Sequence, residues 1–272
     1  MKKTAPRAGA RVAAILAPPL AVLAALIAVW LVLTYFVLNP DQRFLLPPPQ
    51  EVLAVGLLSW PNLSEILHAL RSTATVACLG LAISMAIGIC VATAMSQASW
   101  VERAIYPYAV VLQTIPILAM VPLIGFWLGF NLPSRVVVCV LISLFPIITN
   151  TLFGLKSVER GWDDLFALHK ANRATRLFKL QFPAALPAMF TGFRISAGLS
   201  IVGAIVGDFF FRQGEPGIGR LLDIYRQNLQ AEQLFAAVFF SSLLGLAVFW
   251  FFTFVGNRLI RSWHESADGT AG

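Results

Sequence analysis

Residues 163–187, DDLFALHKANRATRLFKLQFPAALP, form a polar and basic island between long apolar runs. Asp163 and Asp164 suit a helix N-terminus, where carboxylates meet the positive end of the peptide dipole, and Pro183 and Pro187 suit the first turn of a new helix. Between them Ala174, Leu177 and Phe178 share one helical face, while Arg173, Arg176 and Lys179 recur every three residues beside it. The spacing predicts a short amphipathic helix lying at a surface. Taken alone, the stretch equally suits a solvated loop whose cations sit near anionic lipid headgroups.

The flanks of the island decide the class. With 58% hydrophobic and 12% charged residues and a mean hydropathy of +0.78, a soluble globule would lack the polar surface to cover itself. The chain reads as an all-α integral membrane protein of about six transmembrane helices, over 12–38, 72–98, 104–130, 136–155, 184–208 and 233–257, with a cytoplasmic amphipathic loop over 156–182. Residues 12–38 carry no charge and exceed the apolar region of about 7–15 residues of a secretory signal, so they form a retained span. The expected layout is a cytoplasmic N-terminus over 1–11, a single transmembrane domain over 12–261 and a cytoplasmic tail over 262–272. Thirteen Lys and Arg fall in the N-terminus, the 102–103 turn, the 156–179 loop and the tail, against six on the other side, which places both termini in the cytoplasm. The +7 formal charge does not point to nucleic acid, because the cations alternate with membrane-length apolar segments.

Residues 39–61 contain Pro47, Pro48 and Pro49 and read as an extended outer loop, followed by a short interfacial helix carrying Leu63, Ile66, Leu67 and Leu70. Gly80, Ser84, Gly88 and Ala92 recur every four residues, a ridge that lets another helix approach closely. Pro116 and Pro122 interrupt the third span beside Gln113 and Thr114, and Thr149, Asn150 and Thr151 follow Pro146 in the fourth. Gly192, Ser196, Ser200, Ala204 and Asp208 make a small, polar stripe along the fifth, which also holds Arg194. Fourteen residues at about 1.5 Å each separate Arg194 from Asp208, so each needs its own partner. The polar groups Gln113, Thr114, Thr149, Asn150, Arg194, Ser196, Ser200 and Asp208 are candidates either for lining a pathway or for interhelical hydrogen bonding. Residues 211–232 read as an outer loop with a short helix over 220–228. Cys78, Cys90 and Cys139 read as small buried side chains. His68, His169 and His264 fall in separate loops, and the chain has no Cys-x-x-Cys, His-Glu-x-x-His or Gly-x-x-x-x-Gly-Lys sequence. No catalytic constellation is visible, and the chain does not read as an enzyme.

Position by position, 163–187 resembles the EAA signature of ABC-transporter permease subunits, and the PAALPAMFTGFRIS run from Pro183 resembles the nitrate, sulfonate and taurine branch. Asp164 takes the acidic place, Leu165 and Phe166 replace the two alanines, Lys170 takes the glycine place and Ala171 an alanine place. The resemblance implies an ATPase-coupling loop with Asp163, Asp164, His169, Lys170, Ala171, Arg173, Arg176, Phe178 and Pro183 as its residues. It further implies cytoplasmic ABC ATPase subunits that hold ATP and Mg, an extracytoplasmic substrate-binding protein, a second permease copy in a homodimer, and a bacterial plasma (inner) membrane around them; this chain itself binds no cofactor. The implied solute is a sulfonate, nitrate, taurine or vitamin precursor. The competing class is a gradient-driven secondary transporter or channel using Arg194 and Asp208.

Overall fold

The computed structural model describes the backbone of residues 8–260 and the side chains of 17–259. Lys2, Lys3, Arg7, the Arg11 side chain, Arg261, His264 and the 262–272 tail lie outside the described residues. In chain order the helices are α1 (Ala8–Val32), α2 (Pro49–Leu53), α3 (Trp60–Gln97), α4 (Ser99–Thr114), α5 (Ile117–Leu128), α6 (Leu132–Lys156), α7 (Arg160–Leu168), α8 (Arg173–Arg176), α9 (Phe182–Phe210), α10 (Ile218–Gln227) and α11 (Ala231–Ile260). Among the described residues five helical stretches are long and apolar enough to cross a membrane, and six if the bent pair α4 and α5 counts as one span.

The described residues divide into two compact units, one up to Ser64 together with Ile224–Ala237, the other Glu65–Asp223 together with the described residues from Val238 onward. In the first, Trp30 donates from Nε1 to the Pro47 carbonyl at 3.1 Å, and the buried Thr34 hydroxyl is shared between the carbonyls of Trp30 and Leu46. Trp30 also packs on Phe235 with ring centroids 5.3 Å apart. The 39–61 segment is therefore not extended. It folds into a 3-10 turn over Pro40–Leu45, then α2, then a wide π turn over Ala54–Leu58. The prolines permit this because Pro40 and Pro49 each open a helical segment, where a missing N–H leaves no bond unmade.

The second unit is organised on α6. Helix α9 runs antiparallel to it: Gly154 meets Ala185, Asn150 meets Gly192, Cys139 meets Gly203 and Arg135 meets Gly207. A Cβ at Gly203 would lie 2.8 Å from the Cys139 Cα, so the two backbones touch where only glycine leaves room. Helix α3 packs parallel to α6 in constant register, with Gly80 on Cys139, Ser84 on Ser143 and Gly88 on Ile147. Hydroxyls bridge both seams: Ser84 Oγ and Ser143 Oγ are 2.7 Å apart, and Ser196 donates to the Ser143 carbonyl at 2.7 Å. The small-residue ridge is a packing surface, as its spacing predicts.

Several sequence boundaries move. The short helix at 63–70 and the second span are one helix, α3, because nothing after Pro61 breaks the backbone and Arg71 simply projects outward. Pro116 ends α4, and α5 leaves at about 100°, but Pro122 is absorbed inside α5. Pro187 likewise lies inside α9, which continues from α8 through a π turn over Leu177–Gln181. Of the cysteines only Cys139 is buried; Cys78 and Cys90 are exposed, Cys78 lining a cavity shared with Phe251 and Phe252 of α11.

The α6–α9 seam predicts a sharp contrast between two glycines. Gly203→Leu should destabilise the chain by about 1–3 kcal/mol or prevent folding, since backbone must shift. Gly198→Ala, with no atom within 4 Å of the added methyl, should be neutral or gain about 0.5–1 kcal/mol. Thermal unfolding in detergent micelles measures both.

Candidate functional site

The charged island folds into a helical hairpin. Glu159 precedes α7, so Asp163 sits in its first turn and Asp164 one residue further on, exposed. His169 follows the last helical residue with Nδ1 2.9 Å from the Leu165 carbonyl. The chain then reverses at Lys170, whose φ of 49° is in the left-handed region. Lys170 N donates to Ala167 O at 2.9 Å and Ala171 N to Phe166 O at 3.0 Å, the paired bonds of a Schellman stop. This is a position where glycine carries no steric penalty and Lys170 does. Asn172 caps α8 by accepting the Thr175 amide at 2.7 Å. Arg176 then closes the hairpin on Asp163 at 2.6 Å. Leu177 turns into the core, whereas Phe178 is 67% exposed and stacks on Phe182 at 5.7 Å. Trp162 and Leu168 are exposed on α7, Arg173 is exposed on α8, and Pro183 opens α9. Seven of the nine implied coupling residues thus lie within two short helices and their turn. Ala171 is half-buried in that turn, and Pro183 begins the span behind it.

At the opposite end of α6 and α9 a second polar centre is sealed from solvent. Arg135 is 2% exposed and Asp208 fully buried, with Arg135 Nη1 3.3 Å from Asp208 Oδ1. Nη1 also donates to Glu215 O at 2.9 Å, and Nη2 donates to Phe211 O at 2.8 Å and Gln213 O at 3.1 Å. Thr73 donates to Asp208 Oδ2 at 2.6 Å and accepts the Ile218 amide at 2.8 Å. Gly217 presses on the carboxylate so closely that any Cβ would overlap it. One ion pair therefore ties α3, α6, α9 and the 211–218 loop together.

The other pathway candidates scatter. Gln113 lines a cavity at the α4–α5 bend, and Thr114 beside it bonds its own helix at Val111. Thr149 and Asn150 bond back to the carbonyls of Phe145 and Pro146. Ser196 and Ser200 are buried in the seam with α6. Arg194 is half-buried with Nη2 3.4 Å from Asn257 Oδ1 on α11, so it and Asp208 do have separate partners. Sequence reading missed Arg135, which it left between two spans. The available signal was a cation near the start of one helix matched to a carboxylate near the end of the next long one.

Membrane-length apolar helices and one charged amphipathic hairpin are the features that any likeness to known proteins has to account for. Residues 84–261 match the binding-protein-dependent transport system inner membrane component family, and the chain belongs to that family of ABC-transporter permeases. It is 36% identical over 210 residues to the formylaminopyrimidine transport permease protein ThiX of Halalkalibacterium halodurans, covering 76% of this chain and 82% of that one. It is 34% identical to the riboflavin transport system permease protein RibX of Chloroflexus aurantiacus over 61% of each chain. With the nitrate import permease protein NrtB of Synechocystis it shares 28% identity over 67% of this chain and 66% of that one. In fold it is similar to a chain of the MetNI methionine ABC transporter in an inward-facing form, with a TM-score of 0.63 and 16% identity, over 75% of this chain and 98% of the other.

Two variants probe these centres. Arg135→Met leaves the Asp208 carboxylate and three carbonyls without their cation and should cost about 3–5 kcal/mol, read by denaturant unfolding in micelles. Lys170→Gly should relieve roughly 1 kcal/mol of backbone strain and slow amide exchange over 166–171, whereas Lys170→Val should speed it.

Proposed function

We propose that this chain is the membrane-spanning subunit of an ATP-driven importer, working as a homodimer in a bacterial inner membrane with both termini cytoplasmic. Two ABC ATPase subunits, which hold ATP and Mg, dock on the hairpin, and an extracytoplasmic binding protein delivers a small solute to the opposite end. The observation that carries this reading is the hairpin itself. Its fold is fixed internally by the Schellman stop, the Asn172 cap and the Asp163–Arg176 pair, yet Trp162, Leu168 and Phe178 are left facing outward. Large apolar side chains on a braced, charged hairpin suit a rigid peg seated in a partner's groove, the aromatic anchor being the usual energetic centre of such a contact. Closure of the ATPases on ATP would push the peg, and α9, continuous with it in the chain, would carry the displacement into the span. The solute belongs to the class handled by the relatives: vitamin precursors and flavins, or sulfonates, nitrate and bicarbonate.

The test is co-purification in mild detergent followed by reconstitution. An ABC ATPase should accompany the wild-type chain. Phe178→Asp should weaken that association by about 2 kcal/mol or more, roughly thirtyfold. Arg176→Glu, which sets two carboxylates against each other at the hairpin's base, should uncouple ATP hydrolysis from transport while insertion survives. Wild-type coupling in both variants, or a chain that transports without any ATPase, would sink the reading.

A further inference from the structure

The bend between α4 and α5 opens a cavity of about 500 Å³ against α6 and α9. Met120, Leu141, Ile142, Phe145 and Val206 supply much of its wall, and among the described residues Gln113 is the one polar side chain that lines it. No Lys, Arg, His, Asp or Glu among the described residues lines it. Arg135 is held by Asp208 and three loop carbonyls, and Arg194, with Nη2 3.4 Å from Asn257 Oδ1 on α11, lies outside the lining of this cavity. The volume lies within the range of small-molecule sites, about 300–1,000 Å³, in which an apolar lining and one or two polar groups set orientation.

The bend adds hydrogen-bonding capacity of the same neutral kind. Pro116 has no N–H to give the Leu112 carbonyl, and α5 begins without a side-chain cap, so the amides of Ile117 and Leu118 have no partner within their helix. Leu112, Ile117 and Leu118 all line the cavity. An inorganic anion or a sulfonate entering here would lose its water with no cation to replace it, an unfavourable exchange in an apolar surrounding. An uncharged planar ring would instead bury its faces against Phe145, Met120 and Ile142. Its donor and acceptor edge would meet the Gln113 amide, which offers one of each.

We infer that this cavity is where the solute passes, and that the solute is an uncharged heteroaromatic molecule of one or two rings rather than a small anion. The inference rests on the importer reading above and narrows its substrate class. Gln113 is the residue that orients the ring, while the apolar wall excludes ions.

The experiment uses the full chain in lipid nanodiscs and ligand-detected NMR saturation transfer with 2-aminopyrimidine, ethanesulfonate and nitrate as probes, ethanesulfonate and nitrate being followed by competition. The ring should give a signal that neither anion displaces. Gln113→Leu should weaken it roughly tenfold, the loss of a neutral hydrogen-bonding pair. Gln113→Lys should also weaken it and admit ethanesulfonate as a competitor. Gln113 is solvent-exposed, so both variants keep the packed seams intact. Displacement by ethanesulfonate or nitrate in the wild type, or a ring signal indifferent to Gln113, would overturn the inference, as would a cavity occupied only by lipid acyl chains in native mass spectrometry. Co-purification of an ABC ATPase is scored in parallel on the same variants. Ring binding without an ATPase would count against the importer reading alone, and an ATPase-bound chain that prefers the anions would count against the ring alone.

Discussion

The buried pair between Arg135 and Asp208 is the constraint on which the geometry of the α6–α9 unit depends. An unpaired carboxylate in that setting would be strongly unfavourable, so the antiparallel register of α6 and α9 has one solution that matches the cation of one helix to the carboxylate of the other. A slip by one turn would leave Arg135 and Asp208 several ångströms out of reach and would drive side chains into the close contact between Gly203 and Cys139. Small residues permit the approach and the ion pair fixes its register. The pair also reaches beyond the two helices, because Arg135 holds the carbonyls of Phe211, Gln213 and Glu215, and Thr73 joins Asp208 to the first amide of α10. The loop that turns the chain back toward α10 is thereby set by the same residues that set the span.

The fold was largely legible because membrane helices announce themselves by length and composition. The positions of the apolar runs agree with α1, α3, α6, α9 and α11, and the four-residue ridge from Gly80 to Ala92 lies where α3 meets α6. What could not be read were the breaks. Proline signals a possible interruption, but whether it breaks a helix depends on the tertiary surroundings of the carbonyl it leaves unpaired. Pro116 produces a bend of about 100°, while Pro122, Pro146 and Pro187 sit inside continuous helices. The same limit explains Arg71, a charged residue that ended the predicted short helix although the backbone of α3 continues through it.

For the candidate site, local chemistry was readable and long-range pairing was not. Asp163, Lys170 and Arg176 stand thirteen residues apart at most, and a helical turn with one left-handed residue brings the two ends of that stretch together. Lys170 shows how firmly the stop is specified: the two Schellman bonds and the Asn172 cap hold a lysine in a conformation that glycine would adopt more cheaply. Arg135 and Asp208, by contrast, are separated by more than seventy residues. Their meeting follows from the α6–α9 register, which no local pattern states. Knowing only that Asp208 required a partner, sequence reasoning excluded Arg194 by distance and left Arg135 between two spans, although its place near a helix start was the available clue.

The placement of these charges bears on how the spans can discriminate among solutes. Ionisable groups in a membrane segment are ordinarily the first candidates for a pathway, because their burial is otherwise hard to sustain. Here Arg135 and Asp208 have each other, Thr73 and three backbone carbonyls as partners, and Arg194 has Asn257 on α11. Moving Arg135 or Asp208 into a solute's path would require breaking bonds that hold α6 and α9 in register. A gradient-driven mechanism built on protonation of Asp208 would meet the same obstacle, since the carboxylate is enclosed by Arg135, Thr73 and Gly217. At the α4–α5 bend the polar capacity is neutral: the Gln113 amide and the backbone groups exposed where Pro116 interrupts the helix. The buried ion pair holds the register of the helices, and the groups left at that bend carry no charge.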